Sequence, residues 1–249
     1  KTMIKNYTEV DSTVFTDDIL ENLPIDTEIE VSLPSKGKFY NLPDPTAPVK
    51  IKPLTFDDER AVANIKASEK IDPIAFLLGR SVSNLNISEL LAMDKVFLLY
   101  KIREVSYGNL YPIRVTCPKC DEESEVNIDI SKLLVNEIPE DLQDPRTILL
   151  PVLKKEVVIR FPRLRDEKHL NFLEGKKTQL WRFIESIDGH ADKKIISKVV
   201  EKLPLADMHA VLKELATPDY GLDDKINFIC GDCERESVVN IPIGENFFS

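Results

Sequence analysis

Four residues in this 249-residue chain have a type and spacing that point to chemistry: Cys117, Cys120, Cys230 and Cys233. They are the only cysteines, and they form two Cys-x-x-Cys pairs with 109 residues between them. Their flanks repeat as well, since Cys-x-x-Cys-x-x-x-Ser-x-Val-Asn-Ile runs from Cys117 to Ile128 and again from Cys230 to Ile241. Three chemistries use such pairs. A dithiol redox site needs one reactive pair at the start of a helix. Disulfides need an oxidising environment. Four thiolates brought together make the tetrahedral ligand set of a structural zinc. Both pairs here sit between strand-like stretches and they are duplicated, so the spacing favours zinc, one per chain. Four thiolates leave no open coordination position, which makes such a metal structural and not catalytic.

The elements that must position the thiols follow from hydrophobic alternation. Ile113 and Val115 precede the first pair, and Val126, Ile128 and Ile130 follow it. Phe228 and Ile229 precede the second, and Val239, Ile241 and Ile243 follow it. Period-two alternation on both sides of a tight turn predicts a β-hairpin, so each half presents two thiols at its tip. Turns of this kind often place Gly after the second cysteine, where a left-handed residue is required. This chain has Asp121 and Glu234 there, a poorer fit for Glu than for Asp. If the two hairpins face each other, the intervening residues are an insertion whose ends lie close together.

Composition narrows the function classes. The 43 acids against 33 bases give a net charge of −10, which disfavours a polyanion partner because phosphate backbones are bound by clustered Lys and Arg. The hairpin tips are themselves acidic, carrying Asp121, Glu122, Glu123 and Glu125, then Asp232, Glu234 and Glu236, against Lys119 and Arg235. No apolar run approaches the roughly 20 residues of a membrane span, and the first residues show no apolar signal-peptide core. With 8 glycines, a phosphate-cradling loop has little to be built from, and no Ser/His/Asp set or H-E-x-x-H helix appears. His169, His190 and His209 are scattered over separate predicted helices, and Trp181 reads as core. The sequence gives no sign of an enzyme.

In chain order, residues 1–48 read as an extended, Pro-rich N-terminal arm with a short strand over 28–33 and a turn at Pro34-Ser35-Lys36-Gly37. Residues 49–112 form a helical region. Thr55 and Asp58 cap a helix to about residue 69, a second covers roughly 73–79, and Asn86 with Glu89 caps the strongest helix, apolar on two faces and ended by Gly108. Residues 113–135 and 222–245 are the zinc-ribbon halves. Residues 136–221 are the insertion: a β-hairpin turning near Lys154-Lys155, then helices over about 164–174, 178–187, 192–203 and 205–216. The expected class is therefore α+β, with a helical core, a four-cysteine zinc ribbon of two β-hairpins, and an inserted, mostly helical block.

Four landmarks together resemble one family: Leu33-Pro34-Ser35-Lys36-Gly37-x-Phe39-Tyr40, then Ile51-Lys52-Pro53-Leu54-Thr55-x-x-Asp58-Glu59, then Leu90 to Gly108, then Cys117-Pro118-x-Cys120. In this order they are similar to the baseplate hub proteins of contractile-tailed (myovirus) bacteriophages, over about residues 30–135. The resemblance implies a non-enzymatic protein of tail baseplate assembly, made in the host cytoplasm, located in the virion tail baseplate and working among other baseplate proteins. Lys36, Lys38, Phe39 and Tyr40 are the one basic, aromatic patch of the arm. They are expected either to contact a neighbouring subunit or to form a turn packed on the helix at 86–107. A free zinc-ribbon adaptor is the other functional class.

Overall fold

The computed structural model describes residues 27–65, 72–167, 176–216, 220–243 and 245–248. Strand β1 (Ile29–Val31) pairs antiparallel with β2 (Val49–Ile51). Between them the chain winds through consecutive turns, with Lys36 N–H donating to Leu33 O, Lys38 N–H to Ser35 O and Tyr40 N–H to Gly37 O. Lys36 and Gly37 take positive φ of 50° and 68°. Gly37 also approaches another backbone closely, since a Cβ there would stand 2.0 Å from the Pro45 carbonyl oxygen. The turns bury Leu33, Ser35 and Tyr40. Of the expected arm, residues 27–48 are laid on the helical region, and residues 1–26 lie outside the described residues.

Helix α1 (Phe56–Ala63) opens on the expected capping box between Thr55 and Asp58, which satisfies two orphan N–H groups reciprocally. It stops at Asn64, short of residue 69, and residues 66–71 lie outside the described residues. Helix α2 (Pro73–Ser81) is capped by Asp72, with Pro at its first position.

The start of the central helix is a correction. Asn86 caps only a single 3₁₀ turn, Ile87–Glu89. Helix α3 runs Ala92–Tyr107, and its cap residue Leu91 offers no side-chain hydrogen bond. Leu90 and Leu91 are buried and extended, because that geometry lets Leu91 bridge Arg163 and donate its N–H to Tyr40 Oη at 2.9 Å. A distant side chain thus supplies the cap that local sequence does not. The two-faced burial of α3 is as expected: Phe97, Leu98, Leu99, Tyr100 and Ile102 are all buried. Gly108, at φ 87°, ends the helix.

The first cysteine hairpin follows, β3 (Leu110–Thr116) with β4 (Glu123–Asp129), in register from Leu110↔Asp129 to Thr116↔Glu123. β5 (Val135–Asn136) opens the insertion. Inside it, β6 (Arg146–Leu149) and β7 (Glu156–Ile159) form the expected hairpin, and α4 (Leu164–Glu167) runs up to residues outside the described set. The helix expected over 178–187 is not formed. A 3₁₀ segment Lys176–Arg182 leads into β8 (Ile184–Ile187), the third strand of the β6–β7–β8 sheet. A register shift at Val158/Ile159 lets Ile187 oppose Val157 while Ile184 opposes Ile159, so two isoleucines three apart face the same core.

Helices α5 (Lys193–Val200) and α6 (Leu205–Ala216) complete the block. Asp207, buried in the first turn of α6, accepts the N–H groups of Val152 and Leu153 at 2.7 and 3.1 Å and so holds the β6–β7 turn. β9 (Gly221–Leu222) then pairs antiparallel with β5, which brings the two ends of the insertion side by side, as the cysteine repeat requires. The second cysteine hairpin is β10 (Lys225–Ile229) with β11 (Glu236–Asn240).

The result is a mixed α/β architecture of small antiparallel sheets around one central helix. The described residues form two hydrophobic cores, one around α3 and both cysteine hairpins, the other inside the insertion. A polar seam joins them at the start of α3. Leu164 N–H donates to Leu90 O at 2.8 Å, Arg163 pairs with Asp144, Arg160 binds Asp166 at 2.7 and 3.0 Å, and Lys95 reaches Glu167 at 2.7 Å.

Candidate metal centre

The two hairpin tips are built alike. Cys117 N–H donates to Glu122 O and Asp121 N–H to Cys117 O; Cys230 N–H donates to Arg235 O and Glu234 N–H to Cys230 O. Each tip closes through one left-handed residue, Asp121 at φ 58° and Glu234 at φ 56°. The conformation that glycine favours is therefore adopted by two residues that carry side chains, at a cost of roughly 1–2 kcal/mol each.

All four sulfurs lie within 4.8 Å of one another. Across the hairpins, Cys117 Sγ stands 3.6 Å from Cys233 Sγ, and Cys120 Sγ 3.6 Å from Cys230 Sγ. A disulfide requires about 2.05 Å, so these are separate thiols. A tetrahedron of thiolates at about 2.3 Å from a central zinc has edges of roughly 3.8 Å, which is the spacing of the cross-hairpin pairs. Among the described residues this is the one group of three or more His, Cys, Asp or Glu placed to share a metal ion.

The surroundings suit thiolates. Cys117 and Cys230 are buried in the main core, Cys233 is half-buried and Cys120 is exposed. Backbone N–H groups of Lys119 and Cys120 point at the Cys117 sulfur and hold its thiol down at about 6. The Glu122 N–H favours the Cys120 thiolate too, but burial and the neighbouring sulfurs of Cys233, Cys117 and Cys230 outweigh it and push that thiol up to about 12. Four sulfurs this close cannot all ionise without a compensating cation. A divalent ion supplies that charge, so the donor set fits zinc.

The four arm residues do not form one outward surface. Tyr40 is buried; its hydroxyl donates to Asp94 Oδ2 at 2.7 Å and accepts from Leu91. Phe39 packs against Phe161 with ring centres 6.1 Å apart. Lys38 Nζ donates to the carbonyls of Glu140 and Leu142, and Lys36 pairs with Glu137 at 2.6 Å. The patch is a turn packed on α3 and tied to residues 137–142. His190 and His209 are exposed and on separate elements, His169 lies outside the described residues, and Trp181 packs against the core of the insertion.

Sequence reasoning missed several buried polar groups, two of them on α3. Asp94 is fully buried, accepting from Ser35 N–H as well as from Tyr40, and burial raises its carboxyl above the usual range. Arg103 is buried beneath the Tyr111 ring at 4.3 Å and donates to the Phe247 carbonyl. Both occupy the helical spacing of an apolar face, which offers no signal that a charge belongs there.

Comparison with known proteins gives one match: a family model described as T4 bacteriophage base plate protein covers residues 26–249. No curated protein and no solved structure matches the chain.

Proposed function

This chain belongs to the family of T4 bacteriophage base plate proteins, and from that membership we propose that it is a structural or assembly component of the tail baseplate or its hub. It acts through contacts with other baseplate proteins, is assembled in the host cytoplasm and is carried in the virion tail. One structural zinc per chain, held by Cys117, Cys120, Cys230 and Cys233, clasps the two hairpins across the insertion. The family match over most of the chain carries the reading of function. The sulfur spacing and the N–H groups aimed at Cys117 support the reading of the metal.

Closed coordination by four thiolates leaves no place for substrate at the metal, in keeping with a non-enzymatic role. Exposed Glu122, Glu123, Glu234 and Glu236 at the hairpin tips repel phosphate, which disfavours a nucleic-acid zinc ribbon. Among the described residues no helix is long and apolar enough to cross a membrane.

Quantitative mass spectrometry of purified tails and tail-assembly intermediates tests the proposal. Stoichiometric copies in either are expected. Absence from both, with the protein free in the infected cell, would favour a free zinc-ribbon adaptor instead.

A further inference from the structure

The insertion carries an apolar groove edged by lysines. On α5, Ile196 and Val200 face the core, Ile195 and Lys198 face outward, and half-buried Val199 lies between; Lys202 follows in the turn just after the helix. With Leu153 and Leu203 they line an open cavity of about 350 Å³. Ile195 is 51% exposed and Leu153 43%. Lys198 and Lys202 both edge this cavity, and no acid of the described residues pairs with either. Two lysines on the rim of one cavity repel each other, and a carboxylate placed between them would relieve that.

The complementary surface is on the same chain, on the second cysteine hairpin. Near the tip its outward face presents Ile229 (62% exposed), Val238 (65% exposed) and Glu236, with Glu234 and Arg235 at the tip itself and Lys225 at the far end of the strand. Neither glutamate has an ion-pair partner among the described residues. One copy therefore exposes a basic apolar groove and an acidic apolar strand pair, on different bodies, both unsatisfied.

We propose that the groove receives the β10–β11 face of another copy of this chain. Ile229 and Val238 enter the apolar cavity, and Glu234 and Glu236 meet Lys198 and Lys202. The two patches differ, so the contact is head-to-tail, a geometry that builds rings or open chains and not two-fold dimers. The net charge of −10 opposes association at long range, so the attraction is local and sensitive to salt. The proposal is independent of the baseplate reading.

Sedimentation velocity of the full chain tests it, at roughly 1–100 µM, the range expected of a small interface. The mass should grow above the 28.3 kDa monomer as concentration rises and fall back at high salt. Lys198→Glu with Lys202→Glu should abolish the growth, and so should Glu234→Lys with Glu236→Lys. Mixing the two variants should restore it, which misfolding of either could not do. A parent chain that stays monomeric throughout would overturn the proposal and leave the groove to a foreign acidic segment. So would variants that associate like the parent, or a mixture that stays monomeric.

Discussion

Cys230→Ser is the change that isolates the clasp. It removes one of four thiolates while leaving a group of similar size in a buried position. Three remaining ligands hold a structural zinc far more weakly, so the variant should lose its metal. If the parent binds with a dissociation constant 1,000-fold below the free zinc concentration, the metal stabilises the fold by about 4 kcal/mol. The structure indicates where that energy acts. Each hairpin is a separate two-stranded sheet, marginal alone, and β5–β9, at two residues per strand, is a short second tie across the insertion. Urea unfolding followed by circular dichroism, with and without chelator, provides the assay. Chelator should cost the parent about 4 kcal/mol and the variant almost nothing, while the metal-free forms should agree to within about 1 kcal/mol. Adding Cys120→Ser to Cys230→Ser should cost little more, because residues of one site are not additive. A chelator-insensitive parent, or a Cys230→Ser variant that keeps one zinc per chain in native mass spectrometry, would refute the four-thiolate site.

Two glycines allow a matched comparison. Gly37→Ala should lower stability by at least about 2 kcal/mol, since its Cβ would stand 2.0 Å from Pro45 O. Gly108→Ala meets no neighbour within 4 Å, but at φ 87° and ψ 178° it occupies a region essentially confined to glycine and should cost about 1–3 kcal/mol from backbone strain alone; thermal melts of the two variants would show how much the Pro45 clash adds to strain. Phe247 is fully buried, edge-on to Tyr100 at 5.0 Å and Tyr111 at 5.2 Å. Phe247→Ala should cost about 3–5 kcal/mol in urea unfolding, and a loss under 1 would mean this segment does not seal the main core. At the seam, burial raises the Asp166 carboxyl, but hydrogen bonds from Arg160 and the Arg163 N–H outweigh it and leave it lowered. A lowered folded-state pKa gives stability that is present above the unfolded value, near 4, and is lost as pH falls through the folded one. The destabilisation by Asp166→Asn should therefore shrink between pH 7 and pH 3, and a pH-independent difference would contradict the assignment.

The cysteine hairpins were legible because two signals coincide there, a ligand spacing and a period-two alternation repeated at two places. β5–β9 was legible only by consequence, since hairpins that meet force the ends of the insertion together. β8 was not legible. A bulge places Ile184 and Ile187 on one face, and a spacing of three reads as helix when the partner strand is unknown. The start of α3 misled for the opposite reason. Asn86 has the chemistry of a helix cap and uses it on one 3₁₀ turn, while the helix takes its cap from Tyr40, 51 residues away. Tyr40 turns inward, while Lys36 and Lys38 stay exposed beside it. An aromatic beside lysines looks the same in sequence whether it faces a partner or completes a core.

The separation between the halves of the clasp also sets an order in time. Cys120 leaves the ribosome 110 residues before Cys230, which at bacterial elongation speeds is roughly 5–20 s. For that interval the nascent chain holds half a ligand set, and the core around α3 lacks β10, β11 and Phe247. The insertion, with its own separate core, has all its residues before then. Folding during synthesis is thus expected to finish the inserted block before the frame that surrounds it, with closure of the cysteine cluster completing that frame.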